Sequence, residues 1–533
     1  MDDIDSSHRT KLAGWLDEKI SRLNPIELAA KNSRYACVGG FRAHLNAATS
    51  SQLAQLQRKR QESKGAACMA EDSSEFTELR DYIPPGMELR ETSSYGRALY
   101  ATRDFKKFDV VLVETPTLMV TANGSGGATL SDNATREQLF RAWQNQVLVF
   151  ANADAVSQRR VLMLREAPTD GACIGGAACS PDGIAESLRA FVAQDLADVL
   201  PESSLHTLKD EDDWRRVPGV FLANACEWDG RGQALPVVAS LAAHSCAANL
   251  TRVVASPTSS QLELLARRDI QAGELLTLDY LGSKIWSRQE RRSALAASKR
   301  FLCECARCTR NDQEGSMVCP LCVPLNQRDS GFMLPLLEEG EHPGYVIEQP
   351  SAALSASTSL STSSASDATW VCSGCRREFT REELDTPLPQ GAPATTFLGL
   401  GKYVVDLVNG LENIQPGELD DESLLQMHTA VLLSVGPRHY TAQLLAMKLL
   451  RQSNDIRLVE TLMEGIWHWL ENVVNLDPVV YLGVAAIIDV SEQLSEFRNQ
   501  DLAKKYLEAA CEGVPKYMHA YKIASAKLFR LCS

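Results

Sequence analysis

A chain of 533 residues with a formal net charge of −14 has room for roughly two to four domains and lacks the basic face of a general nucleic-acid binder. Its start, MDDIDSSHRTKLAGW, is polar and acidic, so no secretory leader is expected, and apolar runs such as VVYLGVAAIIDV stop short of the ~18 residues of a membrane span. A reducing setting, nucleus and/or cytoplasm, is therefore expected, and there the 15 cysteines read as metal ligands or plain thiols rather than disulfides.

Residues 1–80 show helix-like spacing in HRTKLAGWLDEKISRL and SSQLAQLQRKRQES, with no function attached to them. From Tyr82 the pattern turns to short β-type runs, ALYATRD and DVVLVETPTLMV, followed by a turn-rich loop at 122–133. ATREQLFRAWQNQVLVFANADAVSQRRVLML predicts one helical stretch, and a loop carrying Gly175 and Gly176 follows. Strand patterns return in LTRVVAS and QLELLARRDI, and QAGELLTLDY reads as a turn plus strand. SAALSASTSLSTSSAS is too polar and small-sided to pack a core. From Thr395 the chain reads as helical, with ESLLQMHTAVLLSV, TAQLLAMKLLRQ, RLVETLMEGIWHWLENVV and DLAKKYLEAACEG as helices packing in antiparallel hairpins.

The cysteines cluster. FLCECARC, residues 301–308, places Cys303, Cys305 and Cys308 within six positions, CPLC supplies Cys319 and Cys322, and CSGC supplies Cys372 and Cys375. Closed all-cysteine sets suit structural zinc, because they leave no coordination position for a reactive water. A zinc hydrolase is correspondingly a poor reading. Spacing alone leaves open the fourth ligand of the 303–308 trio, and whether the two C-x-x-C pairs share one ion. The remaining cysteines, among them Cys37, Cys68, Cys173, Cys179, Cys511 and Cys532, are scattered and read as plain thiols.

Three stretches stand in order: SYGRALYATRDF (94–105), SLAAHSCAAN (240–249) and ARRDIQAGELLTLDY (266–280), with CECARC shortly after. Together they resemble the SET domain of protein lysine methyltransferases, and more closely the SMYD group and its arthropod SmydA-type relatives. The family's R-G-x-G-L-x-A is matched through Gly96, Leu99 and Ala101, and its N-H-S-C-x-P-N through His244, Ser245, Cys246 and Asn249. Its G-E-E-L-x-x-x-Y is matched through Gly273, Glu274, Leu276 and Tyr280. The resemblance implies an α+β fold: a β-rich SET domain over 81–300 with a helical insertion at about 130–215, a zinc-binding post-SET region over 301–380 with a Ser-rich insertion, and an all-α, TPR-like domain over 395–533.

It also implies roles. In the family the cysteine of H-S-C joins the C-x-C-x-x-C, so Cys246 becomes the fourth ligand beside Cys303, Cys305 and Cys308, and Cys319, Cys322, Cys372 and Cys375 form a second zinc set. Tyr280 falls at the catalytic tyrosine. Tyr95, Gly96, Arg97, Asn224, Ser240, His244 and Phe301 fall at positions that hold S-adenosylmethionine (AdoMet), with the small residues of YGRA letting backbone approach it and Phe301 covering the adenine. The implied activity is transfer of a methyl group to a lysine of a protein substrate, a histone or another protein. Further protein partners would meet the helical tail, and neither a membrane nor nucleic acid is implied.

Departures from the pattern point to weakened or lost catalysis. Ala243 stands for the asparagine of N-H-S-C, Tyr95 for the first arginine, Ala98 for the second glycine, Leu275 for the second glutamate and Ala248 for the proline. Lys299 stands where a tyrosine of the family lines the lysine channel. Each lost hydrogen bond costs ~0.5–1.5 kcal/mol. A cysteine-dense MYND finger is not found in the sequence before Cys226. The alternative reading is an inactive, zinc-bound SET-like scaffold that binds other proteins in transcriptional regulation.

Overall fold

The computed structural model describes residues 79–92, 95–121, 136–166, 211–228, 232–254, 260–282, 285–299, 301–319, 345–348, 370–385, 396–412, 421–453, 455–496, 499–515 and 519–532. The expected N-terminal helices, Gly175 and Gly176, the Ser-rich stretch and Cys322 lie outside these residues. The described residues fall into two compact units. One holds those up to Gly282 together with Arg292–Cys305; the other holds those of Ser283–Arg291 and Ala306–Ser533.

The first unit is β-rich. Strands β1 (Met87–Thr92) and β2 (Gly96–Ala101) pair antiparallel. Gly96 closes their turn at φ +63°, and a Cβ built there meets nothing within 4 Å, so the position needs glycine for its backbone conformation rather than for space. Strands β3 (Val110–Glu114), β9 (Leu262–Ala266) and β8 (Leu250–Val254) form a sheet in that order, with a register shift between Val110 and Leu112. β9 lies in the middle, which explains its near-continuous apolar run: Leu262, Leu264, Leu265 and Ala266 are all buried. Strands β4 (Leu118–Thr121), β6 (Gly232–Leu235) and β5 (Cys226–Glu227) form another sheet. β7 (Ala243–His244) and β10 (Thr277–Leu278) pair parallel.

Helices α1 (Arg136–Ala151), α2 (Ala155–Leu162) and α3 (Glu211–Asn224) complete the unit. The single helix expected over 134–164 is in fact two. Asp154 breaks it, because its carboxylate accepts the amides of Val156 and Ser157, both at 3.0 Å, and so starts α2 afresh. Val147, Phe150, Val161, Val217, Val220 and Phe221 bring these helices into one apolar core with Trp228, Leu89, Leu99 and the β9 leucines.

The second unit contains a four-stranded antiparallel sheet, β11 (Met317–Val318), β12 (Tyr345–Glu348), β13 (Trp370–Cys372) and β14 (Glu378–Phe379), in chain order. The helix α4 (Arg288–Lys299) begins in this unit, and the short α5 (Ala306–Thr309) and α6 (Arg381–Leu384) belong to it. Its helical part runs through α7 (Phe397–Glu412), α8 (Asp421–Val435), α9 (Tyr440–Gln452), α10 (Ile456–His468), α11 (Pro478–Leu482), α12 (Val484–Glu496), α13 (Gln500–Glu512) and α14 (His519–Cys532). The helix expected over 457–474 leaves α geometry after His468 and finishes as a π turn, Trp469–Val473, where the Trp469 indole donates to the Arg438 carbonyl at 2.8 Å. Among the described residues no helix is long and apolar enough to cross a membrane.

Two buried histidines make this helical unit acid-sensitive. Burial pushes His428 down to about 4 and His439, the N-cap of α9, down to about 3. Both stay neutral in the fold while the unfolded chain takes up protons near 6.5, so stability is full above that pH and is lost as the pH falls toward 4. Each histidine removes about 1.4 kcal/mol per pH unit across that window. Urea unfolding of the intact chain from pH 7 to pH 4.5 is expected to show this decline, and His428→Leu is expected to halve its slope, leaving the share of His439.

Candidate active site and thiol clusters

The loop that carries Cys246 is knitted to the turn that carries Tyr280. The parallel pair β7–β10 sets His244 opposite Leu278, and the Ala243 and Ser245 amides donate to the Leu276 and Leu278 carbonyls at 3.1 and 3.0 Å. Asn249, 1% exposed, completes the join. Its Nδ2 donates to the Glu274 carboxylate (2.9 Å) and the Leu275 carbonyl (2.8 Å), while its Oδ1 accepts from the Thr277 amide (2.8 Å) and hydroxyl (3.0 Å). Every part of this amide is used, so the residue has to be Asn rather than Asp.

At the end of this loop Cys246 meets Cys303, Cys305 and Cys308, whose sulfurs all lie within 4.8 Å of one another and are buried. None of the four is in a disulfide, and the Cys246 and Cys303 sulfurs stand 3.9 Å apart. A tetrahedral ion with metal–sulfur bonds of about 2.3 Å requires sulfur edges of about 3.8 Å. The geometry therefore suits a bound metal and not a disulfide.

His244 extends the cluster inward. The Tyr280 main-chain N–H donates to His244 Nδ1 at 3.1 Å, which puts the neutral ring's proton on Nε2; that atom faces Cys246 Sγ at 3.2 Å and donates to it. A donor on a ligand sulfur stabilises thiolate charge. Arg291 Nη2 approaches Cys308 Sγ at 3.8 Å, and Arg292 Nε donates to the Cys303 carbonyl at 2.9 Å.

A buried ion-pair cluster adjoins Cys308. Arg307, Arg310 and Arg291 converge on one buried oxygen, Glu314 Oε1, at 2.7, 3.3 and 3.6 Å. Burial opposes ionisation of Glu314, and the guanidiniums of Arg307, Arg291 and Arg310 outweigh it and hold the carboxyl below its ordinary range. Arg291 joins this ion-pair cluster to the thiols through its approach to Cys308. These arginines escape a reading that looks only for cysteines; their signal is the density of arginine in SRQERR and CARCTRN around the ligands.

Tyr280 sits beyond His244 in an aromatic trio. Ring centroids are 5.1 Å apart for His244–Tyr280, 5.7 Å for His244–Phe301 and 6.5 Å for Tyr280–Phe301. The Tyr280 hydroxyl donates to the Ala242 carbonyl at 2.6 Å, and burial pushes its pKa up to about 12, with Arg252 pulling weakly the other way. The phenol thus stays protonated, and its oxygen keeps lone pairs to accept a further hydrogen bond. Lys299 stands over the same ring, with Nζ 5.7 Å from the centroid.

The other expected cofactor residues are placed differently. Arg97 Nη1 donates to the Met163 carbonyl (2.7 Å), and Asn224 Nδ2 donates to the carbonyls of Arg165 (2.7 Å) and Val220 (2.8 Å). Both therefore engage the segment that follows α2. Ser240 donates its hydroxyl to the Val237 carbonyl at 2.9 Å. Tyr95 is 48% exposed, and its phenol is raised by partial burial and by the nearby thiols of Cys303 and Cys305.

A second group, Cys319, Cys372 and Cys375, also gathers its sulfurs within 4.8 Å. Cys319 follows β11 and Cys372 ends β13, so the sheet brings together residues far apart in sequence. The Cys375 amide donates to Cys372 Sγ at 3.4 Å, and Arg376 turns the chain at φ +60°. Such a knuckle holds two sulfurs toward one point, and three thiols in this arrangement can hold a metal ion.

Comparison with known proteins agrees with this architecture in part of the chain. The SET domain family model matches residues 96–281. Among solved structures, the SET domain of LSMT bound to lysine and AdoHcy is similar at 13% identity, covering 87% of this chain and 93% of that one with a TM-score of 0.28. The same domain bound to methyllysine and AdoHcy is similar at 14% identity, covering 86% and 92% with a TM-score of 0.26. Likeness at that level bears on neither the fold nor the chemistry of this chain. The family match, laid over the interlocked β7–β10 loops, identifies residues 96–281 as a SET domain.

Proposed function

We propose that the chain is an AdoMet-dependent protein lysine N-methyltransferase of reduced activity, of the SMYD type without a MYND finger, working in the nucleus and/or cytoplasm. One observation carries this reading: a buried, protonated Tyr280 phenol whose own proton is spent on Ala242, so that its oxygen can accept from an incoming amine. When bound, AdoMet supplies an electrophilic methyl on its sulfonium. Tyr280 orients the amine, Phe301 and His244 wall the site, and the apolar surroundings favour the neutral amine that attack requires over the ammonium of a lysine with a free pKa near ~10.4. Cys246, Cys303, Cys305 and Cys308 hold one zinc that fixes Phe301 and His244 in place. Cys319, Cys372, Cys375 and Cys322 hold a second, and the TPR-like helical tail meets protein partners.

Calorimetry with AdoMet and transfer of a tritiated methyl group to lysine-rich proteins test the reading. Tyr280→Phe is expected to leave AdoMet binding intact and to slow transfer by at least ~100-fold. The second reading, a scaffold without catalysis, draws on the engagement of Arg97 and Asn224 with the Met163–Arg165 carbonyls. Absence of AdoMet binding at millimolar concentration decides for it.

A further inference from the structure

The amine of Lys299 has an uncommon setting for a lysine. Its Nζ donates to the Leu222 and Ala223 carbonyls, both at 2.9 Å, and lies over the Tyr280 ring. Those carbonyls are at the C-terminal end of α3, where helix geometry leaves main-chain oxygens without amide partners and the helix dipole is negative. Two orphan oxygens, a dipole end and an aromatic face together accept the N–H groups of a primary amine, whichever chain supplies it. Among the described residues no carboxylate pairs with the Lys299 amine. Burial, then Arg252, pulls its pKa down to about 8, and Cys226 opposes weakly. Burying a cation without a paired carboxylate is a poor way to stabilise a fold.

We propose that Lys299 is a built-in occupant of the acceptor-amine position beside Tyr280, so that a substrate lysine enters only when the Lys299 side chain leaves. This rests on the reading of Tyr280 as the residue that meets the acceptor amine. The occupant has the same functional group as the substrate, the same acceptors satisfy both, and only one ammonium can hold the Leu222–Ala223 pair at a time. The low activity inferred from the sequence departures then has a local cause, separate from the cofactor positions.

The test uses the full chain with Lys299→Ala and Lys299→Met, the latter keeping an unbranched apolar side chain without the amine. Methyl transfer to lysine-rich proteins is expected to rise at least ten-fold in both variants, with AdoMet affinity unchanged by calorimetry. Equal or slower transfer at unchanged AdoMet affinity overturns the proposal. A second measurement needs no cofactor: N-acetyl-lysine methyl ester is titrated into each protein and followed by NMR. Binding to Lys299→Ala and not to the parent chain supports the proposal, and absence of binding to either protein overturns it. If AdoMet binds no form of the chain, the methyltransferase reading falls while the amine titration still decides the role of Lys299. Urea midpoints of both variants at pH 7 equal to or above the parent's support the proposal. A drop in both points to Lys299 as a structural cap of α3 and counts against it.

Discussion

Cys246→Ser is expected to release one zinc and to lower the thermal midpoint of the chain sharply. Four thiolates gathered from positions 246 and 303–308 form the site only when the loop after β7 is in place. Binding of a structural zinc in this way is folding free energy, on the order of 10 kcal/mol for zinc-dependent peptides. Loss of one anionic donor removes a large share of it, and it also takes away the acceptor of the His244 Nε2 proton. The zinc content of purified chain, measured colorimetrically after thiol modification, is expected to fall from about two ions to about one. Cys511→Ser, which alters a thiol on α13 outside both clusters, serves as the control and is expected to change nothing. Unaltered zinc content in Cys246→Ser would end the tetrathiolate assignment.

Glu314→Gln should be the next most damaging change. The carboxylate is fully buried and faces three guanidiniums, two of which, on Arg291 and Arg307, are themselves buried. Removing this anion breaks a buried ion-pair cluster, a class of change that costs ~3–5 kcal/mol. Gln keeps the shape, and the Glu314 carbonyl keeps its bond from the Tyr440 amide, so the loss measures charge rather than packing. Urea midpoints at a constant m-value report it.

Much of this was legible in the residues, in a graded way. The 303–308 trio could be read directly because its ligands are neighbours in sequence. Cys246 was reachable only through resemblance to a family, since 57 positions separate it from Cys303 and no local pattern spans them. The break between α1 and α2 carried a readable signal, the N-capping Asp154 in NADAVS, which helical periodicity alone passed over. The arginine cluster on Glu314 carried only a local density of arginine, because i to i+4 spacing accounts for Arg310 but not for the approach of Arg291 from α4. Arg97 and Asn224 matched a pattern by position, yet the partners of their donors are main-chain carbonyls after α2, which side-chain patterns do not encode. Lys299 stood out in the sequence only as a departure; its link to Leu222 and Ala223 depends on where α3 ends.

The amide of Asn249, bonded on both sides to Glu274, Leu275 and Thr277, carries an evolutionary consequence. Mutations there are purged for folding alone, whatever the protein does for its host. The phenol at 280 has one hydrogen bond, to the Ala242 carbonyl, and is held by folding less tightly once turnover ceases to matter. A lineage drifting away from chemistry would hold the first and relax the second, so the ratio of change at these two positions among descendants would date any loss of turnover.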